Sequence, residues 1–374
     1  MVMKENRPLN LGLIGAGSFG QFCLRAFSKM PELRIFAVAD IDSQIVRKIT
    51  KEYHCKGYTD PRQLIEDPEV EIVHIVTPPT THYSLSRLAV NNGKHVLCEK
   101  PLALRIEDGM KLVESAKKNK RILPVNFVLR YVPVVDLVKK IISDGWIGQP
   151  LRAYFENYAT DEKLPASHWF WDKKESGGIF VEHGVHFFDL YEFWFGKADV
   201  IWAYTLPREK NRQEDRVICC LKHQQSLLAT HYHGFDQPGV LDRQEHHLVF
   251  ERGEIIVHGW IPEIVSVKFL ADDTLLSQLL KGYPGWHHKI LQRFPDNRRK
   301  MKGRGKNFSA DFYAQLDFYS ALDKQQLYTQ AIIHLMRDQI SYIRNPEHQR
   351  KIQEENGLTA LRLAVYASQL AVQP

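Results

Sequence analysis

LNLGLIGAGSFG, Leu9–Gly20, sets a short apolar run, Leu9 to Ile14, directly against three glycines in a Gly15-x-Gly17-x-x-Gly20 pattern. From about Phe19 to Met30 the apolar residues fall at helical spacing, and Ile35 to Ala39 is a β-type run that ends at Asp40, twenty residues past Gly20. Strand, glycine turn, helix, strand and acid in that order are the context a dinucleotide fingerprint requires. Gly15 allows the tight turn, Gly17 lets the backbone approach a pyrophosphate, and Gly20 lets helix and strand pack closely. Ser18 and Phe19 complete the turn and join the three glycines as cofactor-binding candidates. The helix N-terminus behind them offers free N–H groups and a partial positive charge to phosphates. A carboxylate at Asp40 can accept hydrogen bonds from both ribose hydroxyls and repels a 2′-phosphate, so the expected cofactor is NAD rather than NADP.

The alternation continues outward from this turn. Ser43–Tyr53 reads as helix, Val70–Val76 as strand, Tyr83–Asn92 as helix, His95–Cys98 as strand, Ile106–Asn119 as helix and Ile122–Phe127 as strand. Such βαβ units predict a parallel sheet with helices on its faces. Past Asn126 the rhythm changes. A helix over Tyr131–Ser143 is followed by long β-type runs at Leu151–Tyr158, Val200–Thr205, Asp215–Leu221, Ser226–Gly234, Glu245–Phe250 and Glu254–Trp260. Consecutive strands without intervening helices predict antiparallel pairing. Gly178–Phe195 and Asn356–Gln373 have helical apolar spacing. The expectation is an α/β protein: a Rossmann domain over residues 1–124, then an α+β domain over 125–374 on a mostly antiparallel sheet. The final helix, about 356–373, is expected to pack back toward the first domain.

Composition agrees. With 44% apolar and 25% charged residues among 374, the chain is neither disordered nor a disulfide scaffold, for it has only five cysteines and no CxxC pair. Fifty Lys plus Arg against 44 Asp plus Glu is a mild excess, far from the footprint of a nucleic-acid binder but with room for an acidic small molecule. No apolar run reaches the roughly 20 residues of a membrane span, and no signal-peptide core follows the polar start. A reduced, cytoplasmic protein is expected. Lys281–Lys306 stands apart, with GYPGW, two histidines and then Arg298, Arg299, Lys300, Lys302, Arg304 and Lys306. It reads as a solvated loop, or as a lid or anion clamp over an acidic substrate.

Two further motifs carry chemistry. Glu99-Lys100-Pro101 closes the strand His95–Cys98, on the side where open α/β sheets bind ligands. A partly desolvated lysine there could exchange a proton with a hydroxyl that is losing hydride. In GGIFVEHGVHFFD, Gly177–Asp189, Glu182 and His186 are four apart, so a regular helix projects them from one face as an acid/base pair, with His183 near. HxxH on one helical turn is not a metal-ligand arrangement, and no metal is expected. Trp169, Phe170 and Trp171 form either a wall for a sugar face or part of a core.

Taken together, LIGAGSFG, ADID at Ala39–Asp42, VTPPTTH at Val76–His82, GKHVLCEKP at Gly93–Pro101, NFVLRYVP at Asn126–Pro133 and the GG-x3-E-x3-H-x2-D run resemble the Gfo/Idh/MocA oxidoreductases. The resemblance implies a C-terminal domain with an open-faced sheet, commonly packed against another subunit, hence a homodimer or homotetramer. It implies that Asp40, Ile41, Thr77, Pro78, His82 and Glu99 meet the cofactor, and that Lys100 contacts substrate hydroxyl and nicotinamide ribose. It makes His186 the acid/base, aided by Glu182, and puts Arg130 and Tyr131 at the substrate. Trp171, from the aromatic run, and His183, beside the acid/base pair, are further substrate-binding candidates of this chain's own sequence. One departure stands out: relatives that oxidise simple polyols usually have aspartate where this chain has Glu182 and an apolar residue where it has His183. The function so implied is hydride transfer between NAD and a CH–OH of a sugar, sugar acid or cyclitol. A glycoside hydrolase working through transient oxidation, and a non-catalytic nucleotide sensor, are the alternatives.

Overall fold

The computed structural model describes residues 7–208, 213–224, 227–282 and 285–372, with the Arg298 side chain set aside. Ser226, Gln373 and the Tyr283-Pro284 pair, which the sequence reading placed in elements or motifs, lie outside those residues. The chain forms two compact units. The first gathers residues up to Tyr131, Ala166–Leu190 and Tyr328–Gln369; the second gathers Val132–Pro165, Tyr191–Leu327 and the end of the chain.

In the first unit β1 (Leu9–Ile14), β2 (Leu33–Ala39), β3 (Lys56–Tyr58), β4 (Ile72–Ile75) and β5 (His95–Cys98) form a sheet in the order β3-β2-β1-β4-β5. All four pairings are parallel. Ile122–Asn126 runs along the free edge of β5: Val96 N–H donates to Ile122 O at 2.9 Å and Asn126 N–H to Cys98 O at 2.8 Å. Every residue of β4 is buried, as expected of a strand covered on both faces. Between the strands run α1 (Ser18–Phe27), α2 (Ser43–Tyr53), α3 (Pro61–Glu66), α4 (His82–Asn91) and α5 (Ile106–Asn119). Asp42 caps α2 by accepting the Gln44 N–H at 2.7 Å.

Beyond α6 (Pro133–Asp144), β6 (Pro150–Thr160), α7 (Lys173–Ser176) and α8 (Val185–Phe195), the second unit is built on a larger sheet. It adds β7 (Ala198–Pro207), β8 (Glu214–His223), β9 (Leu228–Gln237), β10 (Arg243–Phe250), β11 (Gly253–His258), β12 (Ile264–Ala271), β13 (Trp286–Arg293) and β16 (Phe312–Tyr319) to β6. The order is β13-β16-β12-β11-β10-β6-β9-β8-β7, antiparallel throughout except for the parallel β6–β9 pair. Alternation decides which face is buried: in β10 His246, Leu248 and Phe250 point inward and His247 and Val249 outward.

The structure differs from the sequence reading in several places, and β3, α3, β12 and β16 were not part of that reading. The helix expected over Gly178–Phe195 contains a π turn, Phe180–Gly184, before α8. The basic segment is not an open loop: α9 (Asp273–Gly282) and β13 lead into a hairpin of β14 (Lys300–Gly303) and β15 (Lys306–Ser309). Several of its cations already have acidic neighbours, Lys306 on Glu251 at 2.9 Å and Arg299 on Asp296 and Asp311 at 3.0 and 3.3 Å. A long helix, α10 (Lys324–Arg344), was not read from the sequence. In the first unit α11 (Glu354–Leu370) takes up the final helix, and its Leu358 and Leu361 abut Gly109 of α5 so closely that a Cβ there would meet Leu361 at 3.0 Å. No helix among the described residues is long and apolar enough to cross a membrane.

Candidate active site

The turn from β1 into α1 is shaped by what its glycines lack. Gly15 has φ +92°, a conformation side chains rarely adopt, and a Cβ on it would strike the Val76 carbonyl. A Cβ on Gly20 would strike the Gly15 carbonyl, whereas one on Gly17 would meet nothing within 4 Å. The first and third glycines therefore close the turn, and the second faces open space where a pyrophosphate can approach. Ser18 is exposed beside it, while the Phe19 ring packs between Phe22 and Tyr328 at 5.8 and 5.9 Å, leaving only its main chain to the turn.

A cavity of about 780 Å³ opens at this turn, lined by Gly15, Gly17, Asp40, Ile41, Thr77 and Pro78 among others. Asp40 accepts the Ala16 N–H at 2.7 Å through one oxygen and the Asp42 N–H at 2.9 Å through the other. Both bonds fix the carboxylate at the cavity wall. Asp60, Pro61, Arg62, Ser84 and Leu88 also line the cavity. They were missed because α3 and α4 carry no phosphate motif; Asp60-Pro61, a cap followed by proline, was the available signal. The open Gly17, the fixed carboxylate and the cavity size fit a dinucleotide's adenosine half.

Two expected cofactor contacts turn inward instead. His82 is fully buried, its Nδ1 2.6 Å from Pro101 O and its Nε2 2.8 Å from Thr77 O. Glu99 is buried too, its Oε1 accepting from Asn126 Nδ2 at 2.6 Å and standing 3.0 Å from His74 Nε2. Among the described residues Cys23, His74 and Glu99 make the one grouping of metal-capable donors, within 4.8 Å of one another and all buried. The His183–His186 pair belongs to no such grouping.

Lys100, next in sequence, points the other way. Its Nζ donates to the Glu182 carbonyl oxygen at 2.8 Å and pairs with the Glu182 carboxylate, both side chains being mostly covered. Gly177 and Gly178, at φ +82° and +87°, turn the chain into the π turn that presents Glu182 to this lysine. A π turn adds a residue to the helical repeat, so the Glu182–His186 spacing is not that of one regular face. His186, 6% exposed, lies edge-on to Phe127 at 6.2 Å. Burial first, and the Lys100 ammonium second, hold its pKa well below the ordinary value, so the ring is neutral at pH 7. His183 is partly exposed, its ring 5.1 Å from Phe187.

Arg130 and Tyr131, expected at the substrate, serve the frame here. Arg130, 5% exposed, forms a two-pronged ion pair with Asp189, both bonds 2.8 Å, and donates to Lys351 O at 3.0 Å. Tyr131 donates to Asp338 at 2.6 Å. Trp171 is half-buried in the short turn Trp169–Trp171, Phe170 is buried, and Trp169 is 37% exposed, so the trio is part core and part surface.

Comparison with known proteins identifies the family of both parts of the chain. Residues 9–127 match the family described as oxidoreductase family, NAD-binding Rossmann fold, and residues 135–256 match the GFO/IDH/MocA C-terminal domain. The chain is 29% identical over 186 residues to scyllo-inositol 2-dehydrogenase (NAD(+)) of Bacillus subtilis, covering 49% of this chain and 53% of that one. It is 30% identical over 192 residues to myo-inositol 2-dehydrogenase of Thermotoga maritima, covering 50% and 55%. The chain thus spans about half the length of the curated relatives it matches. Levoglucosan dehydrogenase in complex with NADH superposes with a TM-score of 0.76 over 97% of this chain and 98% of that one, at 19% identity, which shows a shared fold. Glycine turn, Lys100 strand end and sheet domain together place the chain in the Gfo/Idh/MocA oxidoreductase family.

Proposed function

We propose that the protein is an NAD-dependent dehydrogenase acting on a CH–OH group of a sugar or cyclitol. The observation that carries the reading is the Lys100–Glu182 pair at one strand end of a dinucleotide fold, with a buried His186 near enough for the Lys100 ammonium to act on its ring. Bound NAD would supply the hydride acceptor. Gly15, Gly17 and Gly20 would hold its pyrophosphate and Asp40 its adenosine ribose, which favours NAD over NADP. His186, unprotonated at neutral pH, takes the hydroxyl proton. Lys100 donates a hydrogen bond to the alkoxide as it develops, an interaction stronger in the transition state than in the ground state. Glu182 holds the lysine in place through two contacts, its carbonyl and its carboxylate. Thr77 and Pro78, at the cavity wall, would flank the cofactor.

Names of relatives support the substrate class, two of them being inositol dehydrogenases. Five free thiols, four of them buried, suit a reducing compartment such as the cytoplasm. The half-exposed outer face of the large sheet, with Tyr154, Tyr158 and Tyr232, suits a second subunit and an oligomer. The test is NADH formation with a panel of inositols, aldoses, sugar acids and levoglucosan, followed at the NADH absorbance band. Oxidation of at least one, lost in Lys100→Ala and in His186→Ala, is the expected result. Glycoside consumption without NADH release would instead establish the redox-neutral hydrolase, and NAD binding with no turnover the sensor.

A further inference from the structure

His82 opens α4 and has no exposed surface, yet both of its ring nitrogens face main-chain carbonyls, Pro101 O at 2.6 Å from Nδ1 and Thr77 O at 2.8 Å from Nε2. A neutral imidazole carries one N–H; its other nitrogen presents a lone pair. Between two carbonyl oxygens the neutral ring would donate to one and press its lone pair against the other, in a place where no water can intervene. Only the imidazolium, with an N–H on each nitrogen, satisfies both.

The two carbonyls belong to different parts of the site. Thr77 follows β4 and lines the cofactor cavity, whereas Pro101 follows β5 and adjoins Lys100. We infer that His82 is a buried imidazolium that braces the Lys100–Pro101 turn against the Thr77–Pro78 segment, making it a positioning residue for the lysine. Burial, the largest influence, and the Lys100 ammonium lower the ring's pKa, the two carbonyls and the Glu99 carboxylate raise it, and the balance lies below the ordinary value. The proposed charge stands on the paired-carbonyl geometry, against that balance. Glu99 and Lys100 are the charged groups acting on it, one from either side of the same strand end. A buried histidine with one carbonyl would be neutral; the second carbonyl changes the balance, because deprotonation now leaves an acceptor facing an acceptor.

The kinetic half of this inference rests on the dehydrogenase reading, and the protonation half does not. The experiment is side-chain nitrogen NMR of the full chain at pH 8, with His82 assigned by through-bond correlation in the native protein and by loss of its signal in His82→Gln. At that pH a ring of ordinary pKa 6.5 is about 3% protonated. Both His82 nitrogens should still carry protons, and a bare nitrogen at pH 8 would overturn the imidazolium. Glutamine can reach only one of the two carbonyls, so His82→Gln should lower kcat about tenfold or more while KM for NAD changes little. An unchanged kcat would overturn the positioning role. If the native chain turns over no substrate, the dehydrogenase reading fails, and the spectrum still decides whether His82 is charged.

Discussion

Among the described residues seven histidines are buried, in two groups that are alike in burial and unlike in surroundings. In the first unit His74, His82 and His186 stand beside Glu99, two carbonyls and Lys100, respectively. In the second unit His223, His231, His233 and His246 are packed among aromatic rings: His231 lies 4.4 Å from Tyr191, and His246 lies 4.7 Å from Phe155 and 5.4 Å from Trp194. One group is set against ions and dipoles on the strand ends that carry the chemistry. The other fills the inner face of a sheet, where an imidazole works as a flat, neutral packing group. Burial alone therefore does not distinguish a functional histidine; what its nitrogens face does.

The largest expected effect is on stability in mild acid, and the buried His186 of the first group shares in it with the second group. Burial pushes His233 and His246 down to about 3, and lowers His223 and His231 as well. The unfolded rings titrate near 6.5, so between that pH and the folded values the unfolded chain binds more protons than the folded one. Their contribution is therefore complete above pH 6.5 and lost as the pH falls toward 3. At roughly 1.4 kcal/mol for each pH unit between the two values, His233 and His246 contribute up to about 4 to 5 kcal/mol apiece. Carboxylates with lowered pKa, such as Glu354, begin to lose their share only below about 4.5. Thermal unfolding should thus weaken steeply from pH 6.5 to 4.5, and His246→Leu should flatten that slope. A Tm constant across this interval would mean that the second group does not stay neutral.

Next in size is the effect on turnover at the other group. Lys100→Ala removes the ammonium and leaves Glu182 without its ion pair, and His186→Ala removes the base. Each should lower kcat on the order of 10³-fold, because the lost interactions act on charge that forms in the transition state. NAD affinity, measured by titration of the cofactor, should change by no more than a few fold. A loss confined to affinity would move Lys100 out of the reacting centre and make the Lys100–Glu182 pair part of the frame.

How much of this was legible follows from how local each signal is. Gly15, Gly17, Gly20 and Asp40 are short-range geometry, so the Rossmann turn could be read with its reasons. Lys100 and Glu182 were legible as chemistry-bearing residues, but not their mutual contact, which joins residues 82 apart and depends on a π turn that no periodicity announces. Arg130, Tyr131, His82 and Glu99 look like ligand-binding side chains in a string of letters. Their partners, Asp189, Asp338, the Thr77 and Pro101 carbonyls, and His74, are supplied by folding alone. Likewise His231, His233 and His246 look like distant metal candidates in the sequence, when three-dimensional packing sets them among aromatic rings.

Smaller again is the effect expected at the adenosine end, where main chain rather than histidine does the holding. Asp40→Ser removes the acceptor of the Ala16 and Asp42 N–H groups and the carboxylate that repels a 2′-phosphate. NADH should bind about tenfold more weakly and NADPH more tightly, read by fluorescence titration of both, as expected for a charge-assisted hydrogen bond. Equal losses for the two cofactors would show that Asp40 only braces the glycine turn, and would shift the discrimination to Asp60 and Arg62 at the same cavity.

The smallest effect is expected from the basic hairpin, and it bears on whether the substrate is anionic. Lys306 pairs with Glu251 at 2.9 Å while remaining 63% exposed, and Arg299 bridges Asp296 and Asp311. Cations compensated in this way at a solvated surface add little attraction for a distant carboxylate, because salt screens what the acidic neighbours have not already cancelled. Lys306→Ala should leave KM unchanged for both a neutral cyclitol and a sugar acid, and should shift Tm too little to resolve. A rise in KM for the sugar acid alone, largest at low ionic strength, would instead show that these residues meet the substrate, and that anion recognition sits on the hairpin rather than beside Lys100.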